Sequence, residues 1–259
     1  MTRTRRAREI TMTEILTIED QIATIRFNRP EAMNAMNSDV SEAIVEATRR
    51  IDSCRALIVT GNDKAFSAGA DLKEDHPPES RRPRTRDACA AIAAVQIPIF
   101  AAIEGYCIAG GLELALACDF LIGSETSRYS LAEVKRGFIP GAGGTQRLPR
   151  RIGVGRAKEM LFFGNQIDAA TAHAWGLINR LVAAGSAYSA ARDMALELAK
   201  GPPLAIREIK RQVDKGMEMP LEQAMLLERD GNVKLETSID AREGRLAFRE
   251  KRPPVFKGL

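Results

Sequence analysis

The sequence predicts an α/β protein with mainly parallel strands, followed by an all-helical C-terminal portion. Three observations carry this. Short continuous apolar runs, such as Ala56–Thr60 and Ile99–Ile103, alternate with segments of helical period over the first two thirds of the chain. Glycine, proline and asparagine punctuate those segments at close intervals. From about residue 186 helical periods continue but no β-branched run recurs.

Taken in order, residues 14–27 (EILTIEDQIATIRF) hold two β-branched runs broken at Glu19-Asp20, which reads as a hairpin. Asn28-Arg29-Pro30 ends it, and Ser38 is placed to cap a helix running to about residue 51. ALIVT at 56–60 is apolar throughout, as expected of a strand buried on both faces. Residues 65–71 (AFSAGAD) read as a loop of small residues. Residues 75–86, rich in proline and arginine, read as an exposed, mobile loop. A helix follows to about Val95, then the strand Ile99–Ile103, a turn at Gly105, a helix opened by Gly110-Gly111 and ending near Cys118, and a strand from Asp119. Residues 187–199, 202–215 and 220–235 are helical in period, and KRPPVFKGL is an extended tail. The organisation expected is a disordered basic extension at 1–11, ahead of a second possible start at Met12, a core at 12–185, and a helical region at 186–259.

With 259 residues and 45% apolar content, the chain can fill one large core. The net charge of +4 is mildly basic. Aromatics make up only 5% and the arginines are dispersed apart from clusters at 3–8 and 81–86, which argues against nucleic acid as the main partner. Cys54, Cys89, Cys107 and Cys118 form no C-x-x-C pair and the only histidines are His76 and His173, so no metal site is expected. The cysteines read as small buried residues in a reducing compartment. No apolar run is long enough to span a membrane. The Arg-rich start lacks the apolar stretch of a secretory signal, and a cytoplasmic location is expected.

Three segments can carry chemistry. Gly110-Gly111-Leu112-Glu113 opens a helix, where first-turn N–H groups have no intrahelical partner and the dipole favours negative charge. The Gly110 N–H could hold an oxyanion there. Glu113, among Leu112, Leu114 and Ala115, is costly to bury without a purpose, yet a glutamate near a helix start is also an ordinary cap. The AFSAGAD segment allows close backbone approach but by itself also reads as a plain strand-to-helix turn. Glu133 precedes a loop with Gly137, Pro140, Gly141, Gly143 and Gly144. That loop fails the phosphate-cradle pattern, because Thr145-Gln146 follows Gly144, and alone Glu133 reads as a surface residue. No serine sits in G-x-S-x-G, so a serine hydrolase is not indicated.

Together these segments resemble the crotonase, or enoyl-CoA hydratase/isomerase, family. The matching stretches are NRPEAMNAMN (28–37), KAFSAGADLKE (64–74), EGYCIAGGLELALACD (104–119), AEVKRGFIPGAGGTQRLPR (132–150), RAKEMLFFGNQIDAATAHAWGLINRLV (156–182) and FREKRPPVFKG (248–258). The resemblance implies a spiral of ββα repeats, with a helical C-terminal region that joins subunits into a homotrimer or a dimer of trimers. It implies that Ala68 and Gly110 give N–H groups to a thioester oxygen, and that Ala68, Gly69, Ala70, Asp71 and Gly110 contact an acyl-CoA. Glu113 and Glu133 fall on the two glutamates of the hydratases. The implied reaction is syn addition of water to a 2-trans-enoyl-CoA in fatty-acid metabolism, with no metal or separate cofactor, since coenzyme A enters as part of the substrate. The nearest alternatives on the same scaffold are 3,2-enoyl-CoA isomerisation and dehydration of a specialised hydroxyacyl-CoA. Ala109 departs from the glycine many hydratases carry there, a departure expected to matter little.

Overall fold

In the computed structural model, which describes residues 15–74 and 83–259, the first β-branched runs pair as the expected hairpin. Strand β1 (Leu16–Glu19) runs antiparallel to β2 (Ile22–Arg26). The two turn residues are Asp20 and Gln21, both at positive φ (52° and 62°), the mirror-image turn whose twist matches that of paired strands. The basic extension at 1–11, His76 and most of the 75–86 loop lie outside the described residues.

From β2 onward the strands pair in parallel, except for one antiparallel pair at the edge of the smaller sheet. Each turn of the chain lays one strand in each of two sheets and then a helix. Strand β3 (Ala56–Thr60), β4 (Ala65–Ser67) and α2 (Thr85–Ala93) form one turn, after α1 (Ser38–Thr48). Strand β5 (Ile99–Ile103), β6 (Tyr106–Ile108) and α3 (Gly110–Ala115) form the next. Strands β7 (Phe120–Ser124) and β8 (Arg128–Ser130) begin a third, which continues through a 3₁₀ turn (Glu133–Arg136), α4 (Gly144–Ile152), α5 (Val154–Phe163), β9 (Ile167–Asp168), α6 (Ala169–Ala174) and β10 (Arg180–Val182). The larger sheet has the order β1-β2-β3-β5-β7-β10 and the smaller β4-β6-β8-β9. This is the ββα spiral that the sequence resemblance implies.

The strands predicted to be buried on both faces are so. Every residue of β3 and β5 is buried. One face of the larger sheet meets a cluster that includes Ile44, Phe66, Ile92 and Leu112. The other face packs Ile22, Ile58, Phe100 and Ile122 against Ala187, Ala191 and Ala195 of α7 (Ala187–Ala199). The first helix after residue 186 therefore covers the sheet. Beyond it come α8 (Pro203–Gly216), α9 (Leu221–Glu236) and α10 (Ile239–Glu250). The sequence reading had no helix at the position of α10. The tail is extended and fastened: the buried Asp240 carboxylate accepts the N–H groups of Lys257 and Gly258.

Two local expectations change. Asn37, not Ser38, caps α1, its Oδ1 accepting the Val40 N–H at 3.0 Å. The Ser38 N–H instead donates to Glu74 Oε2 at 2.7 Å. Residues 65–67, expected in a loop, form β4, because β6 supplies a parallel partner across about forty residues of sequence. All four cysteines are buried and free, as expected. No helix among the described residues is long and apolar enough to cross a membrane.

Candidate active site

The site is built where α3 starts. Gly110 and Gly111 are buried at its first turn, and their lack of side chains is a packing requirement. A Cβ at position 111 would lie 2.2 Å from the Ser67 carbonyl oxygen. The turn into this helix is made by Ala109 at φ 52°, ψ −127°, a conformation that L residues adopt at a cost of about 1–3 kcal/mol. Ala109 thus holds a strained backbone immediately before Gly110.

Glu113 is 3% exposed. Its side chain does not cap its own helix. Oε1 accepts the N–H groups of Ala142 at 2.7 Å and Gly144 at 2.8 Å. The glycine-rich loop, unable to act as a phosphate cradle, holds a carboxylate instead. Gly144 begins α4, so Glu113 rests against a helix N-terminus whose free amides attract negative charge. The second oxygen, Oε2, has no hydrogen-bond partner among the described residues. Beneath the loop, Arg147 donates to the Ala142 carbonyl oxygen at 3.0 Å.

Glu133 opens the 3₁₀ turn and is half-buried. Its Oε2 is buried without a partner. Burial pushes its carboxyl pKa above the ordinary value, and the charge of Glu113 adds to the rise. The structure thus brings Glu113 and Glu133, twenty residues apart in sequence, within electrostatic reach of each other, and sets them in unlike surroundings. Glu113 is supplied with two N–H donors on one oxygen, while Glu133 has a buried oxygen without a partner and a raised proton affinity.

The loop at 67–71 corrects one assignment. The Ala68 N–H donates to the Met33 carbonyl oxygen at 3.0 Å, so it is not available to a thioester. The Gly69 N–H donates to Ser67 Oγ at 3.1 Å, and the Asp71 N–H to the Met36 carbonyl oxygen at 2.9 Å. In this run only the Ala70 N–H lacks a partner among the described residues. It lies close to the start of α3: a Cβ on Gly69 would sit 2.8 Å from the Gly110 nitrogen, and one on Gly110 would sit 3.4 Å from the Ala70 nitrogen. Gly110 keeps its place as a candidate donor, and Ala70 replaces Ala68. Gly69 contributes its positive φ of 92° and the absence of a side chain. The Asp71 carboxylate turns inward, where Oδ2 accepts from Arg29 at 3.0 Å and Oδ1 from the Lys73 N–H at 3.1 Å. His173 is exposed on α6. The roles of Arg29 and Asn34 in bracing this loop had no signal in the sequence except their place in the NRPEAMNAMN stretch.

Two unpartnered amides near two carboxylates, one of them with a raised proton affinity, can polarise a carbonyl and move protons beside it. Comparison with known proteins agrees with that chemistry. Residues 17–259 match the family described as Enoyl-CoA hydratase/isomerase. The chain is 38% identical over 254 residues to "Probable enoyl-CoA hydratase echA8" of Mycobacterium tuberculosis, covering 95% of this chain and 99% of that one. It is 38% identical over 250 residues to the human "Enoyl-CoA hydratase domain-containing protein 2, mitochondrial", covering 92% of this chain and 86% of that protein. The crystal structure of an enoyl-CoA hydratase from Bacillus anthracis superposes with a TM-score of 0.88 at 34% identity, over 95% of this chain and all of that one (100%). With the ββα spiral, the paired glutamates and these matches, the chain belongs to the enoyl-CoA hydratase/isomerase family and has the crotonase fold.

Proposed function

We propose that this protein hydrates a 2-trans-enoyl-CoA to the 3-hydroxyacyl-CoA. The observation that carries the proposal is the unlike environment of the two glutamates. The thioester oxygen sits between the Ala70 and Gly110 N–H groups, which stabilise the negative charge that develops on it. By comparison with other oxyanion holes, each donor contributes about 3–4 kcal/mol. Glu113, oriented through Oε1, takes a proton from water with Oε2 as the hydroxyl adds to C3. Glu133, whose burial beside Glu113 favours the protonated form, delivers a proton to C2. The water ends as hydroxyl on C3 and, through Glu113, as a proton on the enzyme; Glu133 regains its proton from that pool. Both groups act from the same face, which makes the addition syn.

The same reading carries a cytoplasmic homotrimer or dimer of trimers. Ile209, Val213, Met217, Leu221, Met225 and Leu226 are exposed apolar side chains on α8 and α9 or between them, which supports burial against another copy. Light scattering at micromolar concentration reads the assembly.

The test of the reaction is a hydration assay over enoyl-CoAs of rising chain length, with Glu113→Gln and Glu133→Gln beside the wild type. Each variant is expected to lose about 10²–10⁴-fold in kcat. Near-wild-type turnover in either removes that residue from its role. Conversion of a 3-enoyl-CoA to the 2-enoyl isomer, without hydration of the latter, assigns isomerisation instead.

A further inference from the structure

We infer that Arg29 and Asp71 form a positioning pair for the oxyanion site, aiming the Ala70 N–H at the thioester oxygen. The inference rests on the enoyl-CoA reading above and adds to it the device that fixes one of its two donors. The loop at 68–71 is attached to the segment 33–36 by three hydrogen bonds: Ala68 N–H to Met33 O at 3.0 Å, Met36 N–H to Gly69 O at 2.7 Å, and Asp71 N–H to Met36 O at 2.9 Å. The aim of Ala70 therefore depends on where 33–36 sits. That segment is irregular, with Met33 and Asn34 both at positive φ (53° and 55°); its backbone closes a tight local turn, and among the described residues only Asn34 anchors it to β4, its carbonyl oxygen accepting from Ser67 Oγ at 2.8 Å.

One nitrogen of Arg29 ties the two segments together. Its Nη1 donates to the Ala35 carbonyl oxygen at 2.6 Å and to Asp71 Oδ2 at 3.0 Å. Asp71 directly follows Ala70, so the pair closes the loop next to the donor. The ends of Arg29 are set as well: its own N–H donates to Asn34 Oδ1 at 2.9 Å, and the Asn34 Nδ2 donates to the Ala65 carbonyl oxygen at 2.7 Å, in β4. Arg29 and Asp71 side chains are only 17% and 14% exposed. An ion pair this far from water gives little net stability, because desolvation offsets attraction. What it does give is a fixed separation between Ala35 and Asp71. Misplacing a reacting group or donor by about 1 Å costs up to about 10²-fold in rate.

The experiment compares wild type with Arg29→Met, Asp71→Ala, the double variant, and the conservative Arg29→Lys and Asp71→Asn. Four quantities are read on the full-length protein: kcat and KM for hydration, the melting temperature, and the absorbance shift of a bound aryl-conjugated enoyl-CoA, whose chromophore moves to the red as its carbonyl is polarised. The expected result is a drop in kcat of about tenfold to a hundredfold in each truncating variant, with KM within about threefold, a smaller red shift, and a double variant no worse than the worse single. Arg29→Lys and Asp71→Asn recover part of both kcat and the red shift, and they carry the test if a truncating variant does not fold. A melting temperature that falls while kcat and red shift stay at wild-type values overturns the inference and leaves a purely structural ion pair. Wild type that shows the red shift but no hydration overturns the proposed reaction alone. Wild type with neither overturns both.

Discussion

Glu113 Oε1 and the Gly144 amide nitrogen lie 2.8 Å apart, in a contact that leaves no room for a side chain at position 144. A Cβ there would approach Pro140 Cβ to 2.8 Å, Leu131 Cδ1 to 3.0 Å and Glu113 Oε1 itself to 3.1 Å. Gly144→Ala is therefore expected to displace the carboxylate or the loop that holds it. The expected outcome is a loss of about tenfold to a hundredfold in kcat, with KM little changed, read by steady-state kinetics. A folded Gly144→Ala protein with wild-type kcat would show that Glu113 is not oriented by this amide for the reaction.

Glu133 predicts a pH dependence. Its folded-state pKa is raised, so between the ordinary glutamate value and that raised value the folded protein binds more protons than the unfolded chain. Its contribution to stability is fully present below the ordinary value and is lost as pH rises through the raised one. Glu133→Gln removes this dependence. Melting curves should show the variant gaining on wild type as pH rises from 4 to 8. An unchanged difference across that range contradicts the raised pKa.

The same titration sets the rate profile. In the proposed hydration Glu133 is the proton donor, so wild-type kcat should fall as pH rises through its raised pKa, and the residual activity of Glu133→Gln should lack that basic limb. A variant that keeps the limb assigns it to another group.

Ala109 holds φ 52° and ψ −127° immediately before the Gly110 donor. Ala109→Gly relieves the strain, at an offsetting cost of about 0.5–1 kcal/mol in unfolded-state freedom. Its melting temperature should be at or slightly above wild type, with activity retained. Ala109→Val places a branched side chain in the same conformation and should melt several degrees lower, by about 2 kcal/mol or more. Equal melting temperatures for the two would mean that the backbone at 109 is not held there.

Lys210 of α8 pairs with Asp119, whose carboxylate also accepts the Ile99 N–H at 2.8 Å. Burial raises the Asp119 pKa, and Lys210 counteracts that rise. Lys210→Met leaves the carboxylate without its main counter-charge, at a cost of about 1–3 kcal/mol near neutral pH. The loss should shrink as the pH is lowered and Asp119 protonates. Denaturant unfolding at pH 7.5 and pH 5 measures both, and a loss independent of pH would assign the effect to helix packing.

Much of the architecture was legible in residues. ALIVT at 56–60 and IFAAI at 99–103 announce themselves because a parallel strand covered on both faces must be apolar at every position. AFS at 65–67, YCI at 106–108 and RYS at 128–130 did not, since three residues carry no period. These segments become strands only because the spiral lays them side by side. The cap of α1 was misread by one residue because Asn37 and Ser38 are both good caps; in the fold Asn37 Oδ1 takes the Val40 N–H and the Ser38 N–H goes to Glu74.

The sequence by itself determined which groups the site contains. Two glutamates, the Gly110-Gly111 pair and the small-residue run at 67–70 are chemical facts of the chain, and their order and spacing identify the family. Tertiary structure alone decided what each group touches. Glu113 could have capped its own helix until the loop at 142–144 was seen to give it two donors. Glu133 read alone as a surface residue and by resemblance as a second catalytic glutamate; the fold buries one of its oxygens, with the charge of Glu113 in reach. Ala68 and Ala70 are identical in kind, and nothing local separates them. The distinction lies in a hydrogen bond from Ala68 to Met33, a contact between segments thirty-five residues apart whose pairing register leaves one amide occupied and the other free.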